Sequence, residues 1–208
     1  MTLTDLADDS ATIAPVLGVP TPSIAGIRCF GDGDPLLAAY HDDEWGQIVH
    51  GEAALLERIA LEGFQAGLSW LTVLRKRPAF RDAFEGFEPA RVADFDENDI
   101  ARLLDDARIV RNRAKIEATI ANARAVLALH RAGTTLDELF WSFAPPVRPS
   151  RPATWQDVPG RTAQSAALSK ALNKAGFRFF GPITAYASMQ ACGLVDDHLA
   201  HCPVMIRR

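Results

Sequence analysis

The stretch VDDHLAHCPVMIRR sets His198 and Cys202 four residues apart, with His201 between them. Positions i and i+4 of a helix share one face, so both side chains could reach a single ion; the same residues could equally decorate a polar helix end. A structural zinc site takes four ligands, drawn mainly from Cys and His, and keeps no open position. A second pair stands in RCFGDGDPLLAAYHDDEWG, where Cys29 and His41 flank a Gly/Asp/Pro turn. Alone, that pair reads more simply as a buried thiol and a hydrogen-bonded imidazole. Joined to His198 and Cys202, it completes a two-Cys, two-His set that would clip the ends of the folded body together. His201 is the rival ligand, but it would lie about 100° around a helix from Cys202 and ranks below His198.

In LEGFQAGLSWLTVL, Glu62 falls in an apolar run followed by Gly63, Ala66, Gly67 and Trp70. A carboxylate among apolar neighbours is costly without a donor. Glu62 therefore reaches solvent, pairs with an arginine, or takes its donors from a ligand. Tyr40, Trp45 and Trp70 are half of the six Trp and Tyr residues. Each has core packing as its simplest role, yet aromatic faces near a carboxylate suit a flat cationic heterocycle.

The third segment, NDIARLLDDARIVRNRAKIEATIANARAVL, places Arg108, Arg111, Arg113 and Lys115 between two amphipathic helical stretches. Most such runs are solvated basic turns. A helix, a tight hairpin and a second helix also make a phosphate site, because unpaired N–H groups and the dipole favour an anion. Such a site positions a duplex without reading its sequence. Lys170, Lys174 and Arg178 form a second basic edge, and Cys192, in MQACGL, belongs in the core.

These residues need elements to hold them. Apolar spacing predicts helices over 53–66 and 168–175, the latter ended by Gly176, and over 114–128. Asp96 is placed to cap a helix through Leu104, with Asp99 completing a weak capping box. The run 68–74 is expected to be helical, and a separate short helix is expected from Pro78 to Phe84. Five prolines between 145 and 160 mark a loop or linker. With no partner strands the architecture is all-α. Residues 1–26 lack periodicity and read as a loosely held extension before a body at 27–208.

Bulk properties bound the rest. At 208 residues, 48% of them hydrophobic and 23% charged, the chain buries a full core without disulfides. Three scattered cysteines argue for a reducing compartment. No long apolar run or signal-peptide pattern occurs, so a cytoplasmic protein without a membrane partner is expected. The net charge of −4 is unpromising for a nucleic-acid binder, but three acidic residues crowd into the first ten positions, and phosphates feel the local patch.

Six segments in order, AYHDDEWG, LEGFQAGLSW, RIVRNRAKIEATIANA, FWSF, SKAL and MQACGLVDDHLAHC, resemble the DNA-3-methyladenine glycosylase I family. The likeness runs from about Arg28 to Cys202. It implies a helix-hairpin-helix DNA glycosylase fold with a structural Zn2+ held by Cys29, His41, His198 and Cys202. It implies a monomeric, monofunctional enzyme of base excision repair. Such an enzyme flips 3-methyladenine out of alkylated double-stranded DNA and hydrolyses the N-glycosidic bond, releasing the base and leaving an abasic site. Glu62 becomes the catalytic and base-recognising carboxylate, with Tyr40, Trp45 and Trp70 lining the pocket. The hairpin falls at about Ala107 to Arg113, where Arg108, Arg111, Arg113 and Lys115 would meet DNA.

The superfamily's usual aspartate after the hairpin is missing in the family, and this chain has no Asp between Lys115 and Gly133. Two positions depart from the family pattern. Gly31 stands where an aromatic is common, and Arg108 where Gly is common. Those departures are the symptoms expected of an alternative, a non-catalytic zinc-stabilised DNA-binding module. A glycosylase for a different alkylated base is a third reading.

Overall fold

Asp34 begins the first helix by accepting the amides of Leu36 and Leu37, with Pro35 at the position where a missing N–H costs nothing. This helix, α1, spans Pro35–Asp43 and carries Tyr40 and His41 on its buried side. The structure is a computed structural model that describes residues 27–148 and 150–207; the expected N-terminal extension lies outside the described residues. Among the described residues there are α-helices and short 3-10 turns, and no strand. None of the helices is long and apolar enough to cross a membrane.

The central element is α2 (Glu52–Gln65), which buries Leu55, Leu56, Ile59, Ala60, Leu61 and Phe64. It packs on α3 (Trp70–Ala83), α6 (Arg113–Arg131), α7 (Leu136–Trp141) and α9 (Pro182–Ala191). Phe64, Phe80, Phe84 and Phe87 continue the core in a chain of ring contacts 4.5–6.2 Å between centroids. The short α4 (Pro89–Ala93) packs on α6, and α8 (Ala163–Ala175) packs on α9.

Several expectations are met in detail. Asp96 and Asp99 form the capping box of α5 (Glu97–Asp105). Gly176 closes α8 in the left-handed conformation, and Cys192 is fully buried. Among the described residues between 145 and 160, only a single 3-10 turn, Trp155–Asp157, interrupts irregular chain.

Two expectations fail. Pro78 does not start a helix but lies inside α3, which runs unbroken past it because Phe80 and Ala83 are anchored in the core. Proline there removes one intrahelical hydrogen bond, a loss that tertiary packing overrides. The helix also starts later than Leu68, at Trp70, where the Ser69 side chain accepts the amide of Thr72. The second failure is HLAHC, which is a turn and not a helix. The amide of Ala200 is drawn away to the carbonyl of Pro152, and Pro203 disfavours a helical Cys202.

The early and late parts of the described residues meet where 45–49 cross 192–194. A Cβ on Gly193 would stand 2.7 Å from the carbonyl oxygen of Gly46, so only glycine permits the approach.

Candidate active site and metal centre

The four residues expected to ligate a metal converge. The ligand atoms of Cys29, His41, His198 and Cys202 all lie within 4.8 Å of one another. Sulfur-to-nitrogen separations are 3.6 Å for Cys29–His198, 3.6 Å for Cys202–His41 and 3.5 Å for Cys202–His198. Tetrahedral zinc, with about 2.3 Å to sulfur and about 2.0 Å to nitrogen, separates such ligands by about 3.6 Å. The set could hold a metal. The exposed His201 stands outside it.

Outer contacts fix each ring. His41 turns Nε2 to the cluster while Nδ1 faces Asp42 at 2.8 Å, and Arg28 grips Asp42 through two nitrogens. His198 turns Nδ1 inward and bonds the carbonyl of Trp45 through Nε2 at 3.0 Å. This carboxylate or carbonyl behind each imidazole is the arrangement that sets ligand tautomers at metal sites. The amide of Leu199 donates to Cys29 Sγ. Burial pushes the Cys29 thiol up to about 12 and His198 down to about 4, so burial favours the neutral form of these two side chains.

The turn carrying His198 and Cys202 is clamped by Arg151, which donates to Asp196 and to the carbonyls of Cys202 and Val204. Arg148 pairs with the buried Asp197, which also accepts from Tyr186 and Gln190. Sequence reasoning missed both arginines, because a proline-rich loop gives no signal of what its charged residues will meet.

Aromatic residues join this centre to a second one. Trp45 contacts His198, Phe30 and Trp155, with centroids 4.7, 5.1 and 6.2 Å away. Tyr40 and Trp70 lie 5.3 Å apart, and Tyr40, Trp45 and Trp70 belong to one apolar cluster. Gly31 has φ 101°, and a Cβ there would stand 3.0 Å from backbone atoms of Leu37 and Ala38. An aromatic residue at this position would need the start of α1 to move. Phe30 and Trp155 supply the ring surface beside Trp45 instead, and Trp155 is fixed by a hydrogen bond to the carbonyl of Cys29.

Glu62 projects from α2 into this region. No hydrogen bond or ion pair reaches its carboxylate among the described residues. Burial raises its pKa to about 8, against the opposing pull of Arg58 one helical turn earlier. Nearby, Trp70 Nε1 and Arg58 Nη1 are buried donors without acceptors. Arg58 is held through its other nitrogen by Glu44, which begins a charge chain through Arg77 and Glu57 to Arg81. Each of these two unpartnered buried donors costs about 1–3 kcal/mol, a cost that an acceptor bound beside Glu62 could relieve. A cleft of about 330 Å³ under the proline-rich loop and one of about 510 Å³ beside α5 and α6 contain none of these residues. Chemistry, not volume, singles out Glu62.

The basic hairpin is less free than its sequence suggests. Arg108, which does not adopt positive φ, pairs with Asp106 and Asp82. Arg113 pairs with Glu97 and Glu117. Lys115 donates to the carbonyls of Phe64 and Ala66, fastening the end of α2. Arg111 is exposed and has no ion pair among the described residues.

The sequence matches the methyladenine glycosylase family over residues 30–205. It is 48% identical over 172 residues to DNA-3-methyladenine glycosylase 1 of Escherichia coli K12, covering 81% of this chain and 91% of that protein. Among solved structures it is similar to a glutamate-to-glutamine mutant of 3-methyladenine DNA glycosylase I from Staphylococcus aureus, with TM-score 0.81, 36% identity and coverage of 88% and 98% of the two chains. A tyrosine-to-phenylalanine variant of 3-methyladenine DNA glycosylase I, in complex with 3-methyladenine, gives the same values. The chain belongs to the methyladenine glycosylase family.

Proposed function

We propose that the chain is a monofunctional DNA glycosylase of the helix-hairpin-helix superfamily, formed by residues 27–208, that excises 3-methyladenine from alkylated duplex DNA. The observation that carries this reading is the desolvated Glu62 carboxylate without a donor, together with the buried Trp70 indole N–H without an acceptor. An adenine edge offers both an amino donor and ring-nitrogen acceptors. The spacing of the substituted residues in the two solved relatives supports the assignment, since they are numbered as far apart as Tyr40 and Glu62.

A nucleotide methylated at N3 is cationic, so its base departs neutral and needs no proton from the enzyme. Extrusion from the stack costs a few kcal/mol, least for damaged bases. Stacking on Trp70 and Tyr40, with Trp45 behind, offsets part of that cost. Glu62 accepts from the exocyclic amino group, and its ionised form favours the cationic base over a normal one. Water then attacks the sugar carbon as the glycosidic bond breaks.

Cys29, His41, His198 and Cys202 would hold zinc, whose role is structural: four protein ligands leave no position for water. Arg111 and the hairpin backbone would meet phosphate directly, while Arg108 and Arg113 would first exchange carboxylates for phosphates. The non-catalytic alternative loses its grounds, since Gly31 is required by local packing and Arg108 adopts no strained backbone.

The test is release of free base from methylated duplex. Wild type should liberate 3-methyladenine, and Glu62→Gln should be folded but slower by about 100-fold, within the usual range for a positioned carboxylate. Full activity in that variant would refute the role of Glu62, and an inactive, folded wild type would refute the function.

A further inference from the structure

The buried charges beside the pocket alternate in sign, and the series is short by one carboxylate. Arg81 donates to Glu57 at 2.9 Å, Arg77 bridges Glu57 and Glu44 at 2.6 Å each, and Arg58 reaches Glu44 through Nη2 at 3.0 Å. Three guanidiniums thus share two carboxylates. At one end the Arg81 side chain is 50% exposed, so water takes up its charge. At the other end Arg58 is only 8% exposed, and its Nη1 is buried without an acceptor. A buried charge is strongly disfavoured unless a counter-charge and hydrogen bonds lie close to it.

The carboxylate that would complete the series lies one turn along the same helix. Glu62 stands four residues after Arg58 on α2, a spacing that puts both side chains on one face. The Arg58 charge acts on Glu62, and both groups act on Tyr40 and Cys192. The other titratable groups around α2 are neutral, occupied or in solvent. Burial holds Tyr40 of α1 and Cys192 after α9 in their neutral forms. Arg77 of α3 is committed to two carboxylates, and Lys115 of α6 to the carbonyls of Phe64 and Ala66. Asp137 of α7 accepts the Gly51 amide at the far end of α2, and Arg178, ahead of α9, is exposed.

We propose that Arg58 is the positioning residue of Glu62. Its charge keeps the carboxylate ionised in apolar surroundings, and its spare Nη1 holds one carboxylate oxygen while the other receives the base. Glu62 then closes the alternating series that starts at Arg81. Because Glu44 divides its charge between Arg58 and Arg77, Arg58 retains a net pull toward the pocket. An opposite charge within about 4–6 Å lowers the pKa of a carboxyl group by about 1–3. The inference rests on the proposed function and deepens it, naming the group that keeps Glu62 an anion for a cationic base.

Arg58→Met removes the charge, fills much of the space and leaves Glu44 its bond to Arg77. The measurement is kcat/KM for release of 3-methyladenine from alkylated duplex across about pH 5–9, because its pH profile reports ionisations of the free enzyme. The limb that rises as Glu62 ionises should move up by about one pH unit. The variant is then about ten-fold slower on the acid side and approaches wild type on the alkaline side. Arg58→Lys, which restores the charge, should bring the limb most of the way back. In a Glu62→Gln background Arg58→Met should cost less than about two-fold more, since no carboxylate is left to ionise. Arg58→Gln takes its place if Arg58→Met does not fold, as judged by Tm, with the same shift expected. A loss equal at every pH, an unmoved limb, or the same loss again without Glu62 overturns the proposal and leaves Arg58 a role in the fold alone. Wild type that releases no base overturns the function itself, and the role of Arg58 with it.

Discussion

The Cys/His cluster and the Glu62 pocket share the run from Tyr40 to Trp45, yet they treat polar atoms in opposite ways. At the cluster every ring nitrogen has a partner, from His41 through Asp42 to Arg28 and from His198 to the carbonyl of Trp45. At the pocket the Glu62 carboxylate lacks donors, and Trp70 Nε1 and Arg58 Nη1 lack acceptors. Closed networks hold a fold together, whereas open ones carry a cost until a ligand closes them. Loss of a residue should therefore destabilise the protein at the first centre. At the second it should leave stability intact or improved while activity falls.

The largest effect on stability is expected at the cluster. Cys29→Ala should remove bound metal, read as about one zinc per wild-type chain by elemental analysis, and lower Tm by on the order of 10 °C. An equally stable, metal-free wild type would abolish the contrast.

Glu62→Gln should do the reverse. Folding raises the Glu62 pKa from 4.5 to about 8, so the folded state binds the proton more tightly than the unfolded one. The ionisation cost is absent below pH 4.5, grows as pH rises, and is complete above about 8. The variant should therefore match wild type in the acid range and exceed it by a few kcal/mol at alkaline pH, read from denaturant melts across that window. Its activity should be about 100-fold lower over the same range. Destabilisation at pH 8 would mean that Glu62 has a partner in the folded protein.

Trp70→Phe keeps a six-membered aromatic ring but deletes the orphan N–H with the pyrrole half of the indole. Stability should change by less than about 1 kcal/mol, because no bond is broken, while affinity for 3-methyladenine should fall roughly three- to ten-fold. Equal affinity would show that the indole N–H is not aimed at the base.

How much of this was legible in the sequence follows from how local each signal is. The capping box of Asp96 and Asp99 and the apolar face of α2 are written within a few residues, and both are found as read. The four residues of the Cys/His cluster were legible as an inventory, because Cys and His are few. The wrong geometry of HLAHC came from Pro152 and Arg151, some fifty positions away, which redirect that backbone. α9 offered no stripe to detect, since its sequence PITAYASMQA is apolar or small on nearly every side. Glu62 stood out as a carboxylate in an apolar run, but its lack of donors is a property of space. Trp155 carried no signal at all, since it is fixed by a distant carbonyl.

The smallest effect separates two arginines that the sequence presents as equals. Arg111 is exposed and unpaired among the described residues, so phosphate contact costs it only water. Arg108 must first leave Asp106 and Asp82, and those carboxylates, uncovered, would then face the DNA backbone. Each phosphate neutralised contributes about 0.9 to the slope of log K against log salt. Arg111→Ala should therefore flatten that slope by nearly one, with affinity reduced equally for damaged and undamaged duplex. Arg108→Ala should change the slope by much less, since the lost cation takes with it the reason for Asp106 and Asp82 to be shielded. Equal slopes for the two variants would mean that the carboxylates release Arg108 freely, and that the hairpin reads as basic in the folded protein as it does in the sequence.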